Sequence, residues 1–398
     1  MATKGNLRRR LILYTALTLV LTGIVVLLPV LAGRLKVPRD DFIAYWASGR
    51  LISTGQNPYD PIQLFRLEKA TGWAGSAPLM VWYPPWALPL LAPLGWLPYA
   101  VGRLSWLLVS LVVLLASAIW LWRIYDGPQG LSWLALAAAG CFAPAMFALA
   151  EGQVIPLVLL GMVGFLHFQK YRKWIPAGLC VALTAIKPQL LGLFWLALLL
   201  WSIRQRRPLV ILAAISVLAV ATLLVLLPNT ALLHQYVVTV LEYPPDGWNT
   251  ATFGALLRSI FGYERTWLQY VPLIFGVGWL LAYCRKHRAD WDWTRQLPPI
   301  LFACVITATF AWMHDETILL VAVVQAFVLL SRVKTGRGVW AMVGFYLSLN
   351  IVALALIGRW RFEQTLYIWL SWVLLLWYVG VDRLGRRSIQ DTSSACQG

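Results

Sequence analysis

The sequence predicts an all-α polytopic membrane protein, and three observations carry that prediction. Of 398 residues, 60% are hydrophobic and only 12% are charged, about half the charged fraction of a soluble domain. Mean hydropathy is +0.71, and the 23 tryptophans are more indoles than a water-facing surface accommodates. The apolar residues also fall into runs near the ~20 residues that a helix needs to cross the hydrocarbon core.

The charge balance supports the same class. Lys and Arg number 33 against 16 Asp and Glu, a net +17, which in a soluble chain would point to nucleic acid. Here most basic residues sit in tails or short loops between apolar runs, where cytoplasmic segments collect them. No nucleic-acid partner is expected. Cys141, Cys180, Cys284, Cys304 and Cys396 lack CxxC or CxxH spacing, so neither a zinc site nor a disulfide framework follows. There is no P-loop, no dinucleotide-binding glycine pattern after a strand, no HExxH and no GxSxG. No metal or cofactor is expected.

The runs read in order as about twelve spans within one integral membrane domain, 1–398. The first, 11–32, follows Lys4, Arg8, Arg9 and Arg10, which places the N-terminus in the cytoplasm. It is longer than the apolar region of a signal peptide. Residues 33–80 turn polar and read as a long external loop with two interface helices. One starts at Asp40 or Asp41; the other has Asp60 as cap and Pro61 in its first turn, ending near Gly72. An N-terminal transmembrane core, 81–227, holds runs at 86–97, 104–122, 131–150, 154–168, 174–201 and 209–227. The run at 174–201 is interrupted at Lys187-Pro188. A second large external loop, 228–266, precedes C-terminal helices at 267–284, 297–313, 317–330, 339–358 and 364–381, the last group spanning 267–384. A cytoplasmic tail, 385–398, ends the chain.

Basic clusters at 204–207, 285–288, 332–337 and 383–387 orient the C-terminal half, because placing all four inside makes every intervening span alternate. The segments 229–266 and 358–363 and the turn His314-Asp315-Glu316 then lie outside. The N-terminal half admits two arrangements. If 86–97 crosses the membrane, the cluster at 170–173 falls outside and Glu151-Gly152-Gln153 inside. If 86–97 is re-entrant and Lys187-Pro188 marks a turn between half-helices, Gln153 and Lys187 face outside.

Polar residues that interrupt apolar runs are functional candidates in a membrane protein. Asp41, Tyr45 and Ser48 fall three or four apart and share one helix face, although Asp41 could also serve as a plain helix cap and Tyr45 as a headgroup anchor. Lys187 either snorkels to headgroups or meets an anionic ligand at a helix break. Asp315 and Glu316 suit helix capping, while His314 beside them could orient a phosphate or hydroxyl. His167, His234 and His287 have no comparable company.

Taken in order, Asp41-Phe42-x-x-Tyr45-x-x-x-Gly49, Gly55-Gln56-Asn57-Pro58-Tyr59-Asp60, Tyr83-Pro84-Pro85, Glu151-Gly152-Gln153 and Ile186-Lys187-Pro188 resemble glycosyltransferase family 87. These are polytopic enzymes of the GT-C superfamily. The likeness is strongest in the N-terminal half. It implies a GT-C-type bundle and an EC 2.4 hexosyl- or pentosyltransferase. It also implies inverting transfer of a sugar, mannose or similar, from a polyprenyl-phosphate donor to a lipid or glycan acceptor at the extracytoplasmic face of the cell membrane. Asp41 matches the family's general base, with Asp40 as substitute, and His314 matches a later site histidine. Lys187 and Gln153 are placed near the donor, and Tyr45, Tyr59 and Asp60 fall within the matching motifs as substrate contacts. The chemistry suits the inventory, since a departing polyprenyl phosphate needs no second carboxylic acid. A lipid-linked sugar flippase is the competing class, although no internal repeat of the transporter kind is visible.

Overall fold

The computed structural model describes residues 41–245, 250–333, 336–359 and 364–395. The expected first span at 11–32, residues 33–40 including Asp40, segment 360–363 and Cys396 lie outside them. Every regular element among the described residues is helical.

Residues 41–80 form the two short helices that the sequence predicts. Helix α1 runs Phe42–Ser53 from Asp41. Helix α2 runs Pro61–Ala70, with Asp60 Oδ1 accepting from the Ile62 and Gln63 amides at 2.9 and 3.2 Å, so two of the four orphan donors of a helix start are satisfied. Gly72 follows with φ +97°. Helix α1 is nearly all apolar and buried on most sides, unlike a helix lying in an interface.

The run at 86–97 forms no α-helix. Pro85, Pro89 and Pro93 remove backbone donors, and the chain makes two 3₁₀ segments, Pro85–Leu90 and Ala92–Trp96. These cradle α1. A Cβ on Gly95 would lie 2.2 Å from the Arg50 amide nitrogen and one on Gly49 would lie 2.3 Å from the Leu91 carbonyl oxygen, so the two backbones touch because both residues are glycine. Trp46 Nε1 donates to the Leu97 carbonyl and Arg50 to the Gly95 carbonyl, each at 2.9 Å.

Among the described residues, six helical stretches are long and apolar enough to cross a membrane: Tyr99–Ile124 (α3), Pro208–Leu226 (α9), Thr266–Lys286, Met313–Arg332, Arg337–Leu356 and Gln364–Gly385. A seventh is the pair α4, Trp133–Gly140, and α5, Ala143–Ala150, if counted as one span bent by 62°. The protein is a multi-pass membrane protein, with six such stretches, or seven, among the described residues, where the sequence reading places eleven of its about twelve spans. The difference has identifiable causes. The runs at 154–168 and 174–201 become shorter helices, α6 (Ile155–Lys170), α7 (Trp174–Ala182) and α8 (Pro188–Arg204), with a 3₁₀ turn Leu183–Ile186 before Lys187. The run at 297–313 stops at Thr307, where Ala308 leaves the helical region.

Burial separates the spans into two kinds. Met313–Arg332 is central, with 89% of its apolar window buried, whereas Pro208–Leu226 has 22% buried. The latter exposes Leu212, Ile215, Val220, Leu223 and Leu224, a lipid-facing surface rather than a core face. Small residues set close helix approach, as lipid offers no hydrophobic drive between spans. A Cβ on Gly178 of α7 would lie 2.3 Å from the Val210 carbonyl oxygen in the neighbouring helix Pro208–Leu226.

Candidate active site

The cavity that matters lies where α1, the 79–83 segment, the 151–153 turn, the Lys187 break and the His314 turn meet. Its volume is about 400 Å³. One wall carries Asp41, Tyr45, Tyr83, Glu151, Gln153, Lys187 and His314; the other is largely apolar, with Trp82, Tyr236, Val240, Tyr270, Phe310 and Trp312. A few convergent polar groups facing an apolar wall is the usual construction of a ligand site.

Asp41 occupies the N-cap position of α1 yet makes no capping bond. Its Oδ2 instead accepts from Gln153 Nε2. The capping reading of this carboxylate therefore fails, and the side chain is turned into the cavity. Tyr45, one turn later, donates to Gln153 Oε1 at 3.1 Å and meets the Tyr83 hydroxyl at 2.7 Å. Burial holds the Tyr45 phenol well above the ordinary tyrosine value, helped by Tyr83 and Asp41. The Tyr83 phenol is pushed up to about 12, chiefly by burial. Both are neutral hydrogen-bonding groups near pH 7.

The 151–153 turn is held from behind. Helix α5 ends at Ala150, and Gly152 turns the chain with φ +69°, a left-handed conformation that suits glycine. Trp106 Nε1 donates to the Gly152 carbonyl at 2.7 Å, and Arg103 donates to the Ala150 carbonyl at 2.6 Å. Glu151 and Gln153 thereby point into the cavity from a fixed backbone.

Lys187 is the hub. The helix breaks before it, and Trp86 Nε1 satisfies the Ala185 carbonyl at 2.8 Å. Its ammonium, 3% exposed by residue, spends three donors on Asp315 Oδ1 at 2.6 Å, Gln153 Oε1 at 3.0 Å and His314 Nε2 at 3.4 Å. The snorkelling alternative is excluded, because the ammonium points inward to a carboxylate. His314 Nδ1 faces Glu151 Oε2 at 2.6 Å. With Lys187 donating to Nε2, the consistent tautomer places the imidazole proton on Nδ1, toward Glu151.

His314-Asp315-Glu316 is not the exposed turn that charge and position imply. All three are buried within the 3₁₀ segment Met313–Leu319 that opens the central helix. Asp315 Oδ2 accepts from the Trp312 amide at 3.0 Å while Oδ1 holds Lys187, so one carboxylate shapes the turn and anchors the hub.

Of the motif residues, Asp60, Tyr59 and Ser48 stand outside the cavity wall. Asp60 caps α2 and accepts from Gln63 Nε2 at 3.0 Å. Tyr59 is buried behind the wall, donating to the Tyr83 carbonyl at 2.8 Å and packing on Tyr236. Ser48 donates to the Pro58 carbonyl at 3.4 Å. Residues not singled out by sequence are Glu151, Tyr83, Asp315 and the aromatic wall. Glu151 and Tyr83 lie in motifs quoted for the resemblance, whereas Tyr236, Tyr270 and Phe310 carry no local signal. Among the described residues, Asp41, Glu151 and His314 are the carboxylate and imidazole group whose donor atoms converge closely enough to hold a metal ion.

The segment from 232 to 245 also borders the cavity, through Tyr236, Val240, Pro244 and Pro245. Trp82 Nε1 donates to the Tyr243 carbonyl at 2.7 Å, and the Ala251 amide donates to the Ala311 carbonyl at 2.9 Å. These bonds tie the segments flanking α10, Leu232–Glu242, to the two strips of chain that carry Tyr83 and His314.

An all-helical multi-pass membrane protein with a half-polar, half-apolar cavity at broken helices is the class that fold and site define. The family model of glycosyltransferase family 87 matches residues 81–314, more than half of the chain. The protein belongs to glycosyltransferase family 87 and is a membrane glycosyltransferase. Neither the curated proteins nor the solved structures contain a match.

Proposed function

We propose that this enzyme transfers a sugar, mannose or similar, from a polyprenyl-phosphate donor to a lipid or glycan hydroxyl at the extracytoplasmic face of the cell membrane. The observation that carries the reading is Asp41: a carboxylate at a helix start that forgoes its capping bond and faces a cavity shared with Lys187 and His314. Transfer is a single displacement with inversion. The acceptor oxygen forms a bond to the anomeric carbon as its proton passes to Asp41, and the bond from that carbon to the phosphate oxygen breaks. The leaving polyprenyl phosphate carries away the electron pair. Lys187 and His314 line the cavity where that phosphate would sit, and Lys187 donates to it on letting go of a present partner; Gln153 links base and hub, so charge on one is felt at the other. Tyr45 hydrogen-bonds Gln153 from α1. The apolar lining, Trp82, Tyr236, Val240, Tyr270, Phe310 and Trp312, accommodates prenyl carbons.

Purified enzyme incubated with a radiolabelled polyprenyl-phosphate sugar and a glycolipid acceptor tests this reading. Transfer, or slow donor hydrolysis without acceptor, is expected. Asp41→Asn keeps size and hydrogen bonding but removes the base, so turnover should fall by at least ~10²-fold with donor affinity little changed. Near-normal turnover by that variant removes Asp41 from the mechanism, and movement of donor across vesicles without chemistry favours a flippase.

A further inference from the structure

Lys187 has no hydrogen-bond donor to spare for a phosphate. Its three N–H groups are taken by Asp315, Gln153 and His314, and its charge is matched by Asp315 at 2.6 Å. Asp41, Glu151 and His314 each present one donor atom, all within 4.8 Å of one another, and Glu151 Oε2 stands at His314 Nδ1, the ring nitrogen that Lys187 does not touch. They come from three different parts of the chain: the start of α1, the end of α5 and the opening turn of the central helix. Glu151 and His314 are buried.

We propose that Asp41, Glu151 and His314 bind a divalent first-row cation, Mn²⁺ or Zn²⁺, in the cavity. Two carboxylate oxygens and one imidazole nitrogen form a donor set such ions accept. Three protein ligands leave positions open for oxygens of an incoming molecule, and the cavity of about 400 Å³ has room for one. A second observation supports the assignment. Metal-binding histidines hold their ring by donating the other N–H to a carboxylate, and Asp315 Oδ1 lies 3.6 Å from His314 Nε2, on the side away from Glu151. Metal at Nδ1 shifts the ring proton to Nε2, toward Asp315. His314 then no longer accepts from Lys187, whose longest bond, 3.4 Å, is released. The freed ammonium donor and the cation together face an anionic group. A role in holding the donor phosphate rests on the transferase reading above, whereas the ion site does not.

The test uses full-length protein in detergent, stripped with EDTA and titrated with Mn²⁺ under electron paramagnetic resonance. One Mn²⁺ per chain is expected, with a ¹⁴N coupling from a ligating imidazole in the pulsed spectrum of the unmodified protein. His314→Ala should abolish that coupling, and Asp41→Asn and Glu151→Gln should each weaken Mn²⁺ binding at least tenfold, so the donor affinity of Asp41→Asn is compared with the parent's at saturating Mn²⁺. Asp126→Asn, at an acid paired with Lys170, should bind as the parent does. Absence of saturable Mn²⁺ binding, a bound ion without ¹⁴N coupling, or unchanged binding in Glu151→Gln overturns the site. Sugar transfer by protein that binds no Mn²⁺ overturns the site and leaves the transferase reading standing. Mn²⁺ bound with ¹⁴N coupling in a protein that transfers no sugar supports the site and refutes that reading.

Discussion

Replacing Lys187 by methionine removes the ammonium from a buried ion pair while keeping a side chain of similar length. Lys187 Nζ lies 2.6 Å from Asp315 Oδ1, and the two side chains are 4% and 1% exposed. Removing one partner of such a pair costs ~3–5 kcal/mol, because the other is left charged without compensation. Asp315→Asn leaves Lys187 in the same position and should cost a similar amount, although the Asn oxygen can still accept from the Trp312 amide. For a chain of 398 residues, an unfolding entropy of ~2.1 cal/mol/K per residue converts ~3–5 kcal/mol to a fall in Tm of about 4–6 °C. The double variant, with no buried charge at either position, should lie within about 2 °C of the parent, a coupling of at least ~3 kcal/mol. Thermal unfolding of detergent-solubilised protein, followed by tryptophan fluorescence, measures all four corners of the cycle. If the double variant loses the sum of the two single losses, the pair is not coupled. If Lys187→Met alone melts with the parent, the ammonium is not buried as described.

Two further predictions concern the frame around the site. Glu68 on α2 is fully buried, with Oε2 accepting from the Leu79 amide at 3.1 Å and Oε1 without a partner, and burial raises its carboxyl to about 7. A carboxyl raised above its unfolded value contributes fully below the unfolded pKa and loses that contribution as pH rises toward 7. A shift of this size amounts to ~3 kcal/mol at most, and relaxation of the site around the ionised carboxylate leaves roughly 1–2 kcal/mol. Tm should therefore fall by about 1–2 °C between pH 5 and pH 8 in the parent, and this component should be absent in Glu68→Gln; identical pH profiles would refute it. Gly152→Ala forces a Cβ to 2.7 Å from Phe42 Cβ at φ +69°, costing roughly 2–4 kcal/mol. It should lower Tm by about 2–5 °C and cut transfer further by moving Glu151 and Gln153, whereas Gly130→Ala, into open space, should leave Tm unchanged.

The same residues show how far local signals reach. Asp60 and Pro61 announced the start of α2 because capping involves only residues two or three apart. Gly49 could be placed in a motif, but its contact with residue 95 depends on 3₁₀ turns that a prolyl apolar run conceals. The run at 86–97 is apolar enough to pass for a short span, and only the lost donors of three prolines and the packing of α1 against it decide otherwise. His314-Asp315-Glu316 read as a turn outside the membrane because three polar residues between apolar runs suit a helix junction. Their burial follows from partners at positions 151 and 187, more than a hundred residues away.

Composition and run length by themselves determined the class: a chain with 12% charged residues and long apolar runs must satisfy its backbone internally, so it is helical and membrane-embedded. The ordered motifs also brought out Asp41, Gln153, Lys187 and His314. Tertiary structure alone decided what these groups are to one another. Hydrogen bonds and charge pairs act over a few ångströms, and the Asp41–Gln153–Lys187–His314–Glu151 chain joins five segments that no sequence period connects. Whether Asp41 caps a helix or faces a cavity depends on where one side chain points, and packing against Gln153 settles that.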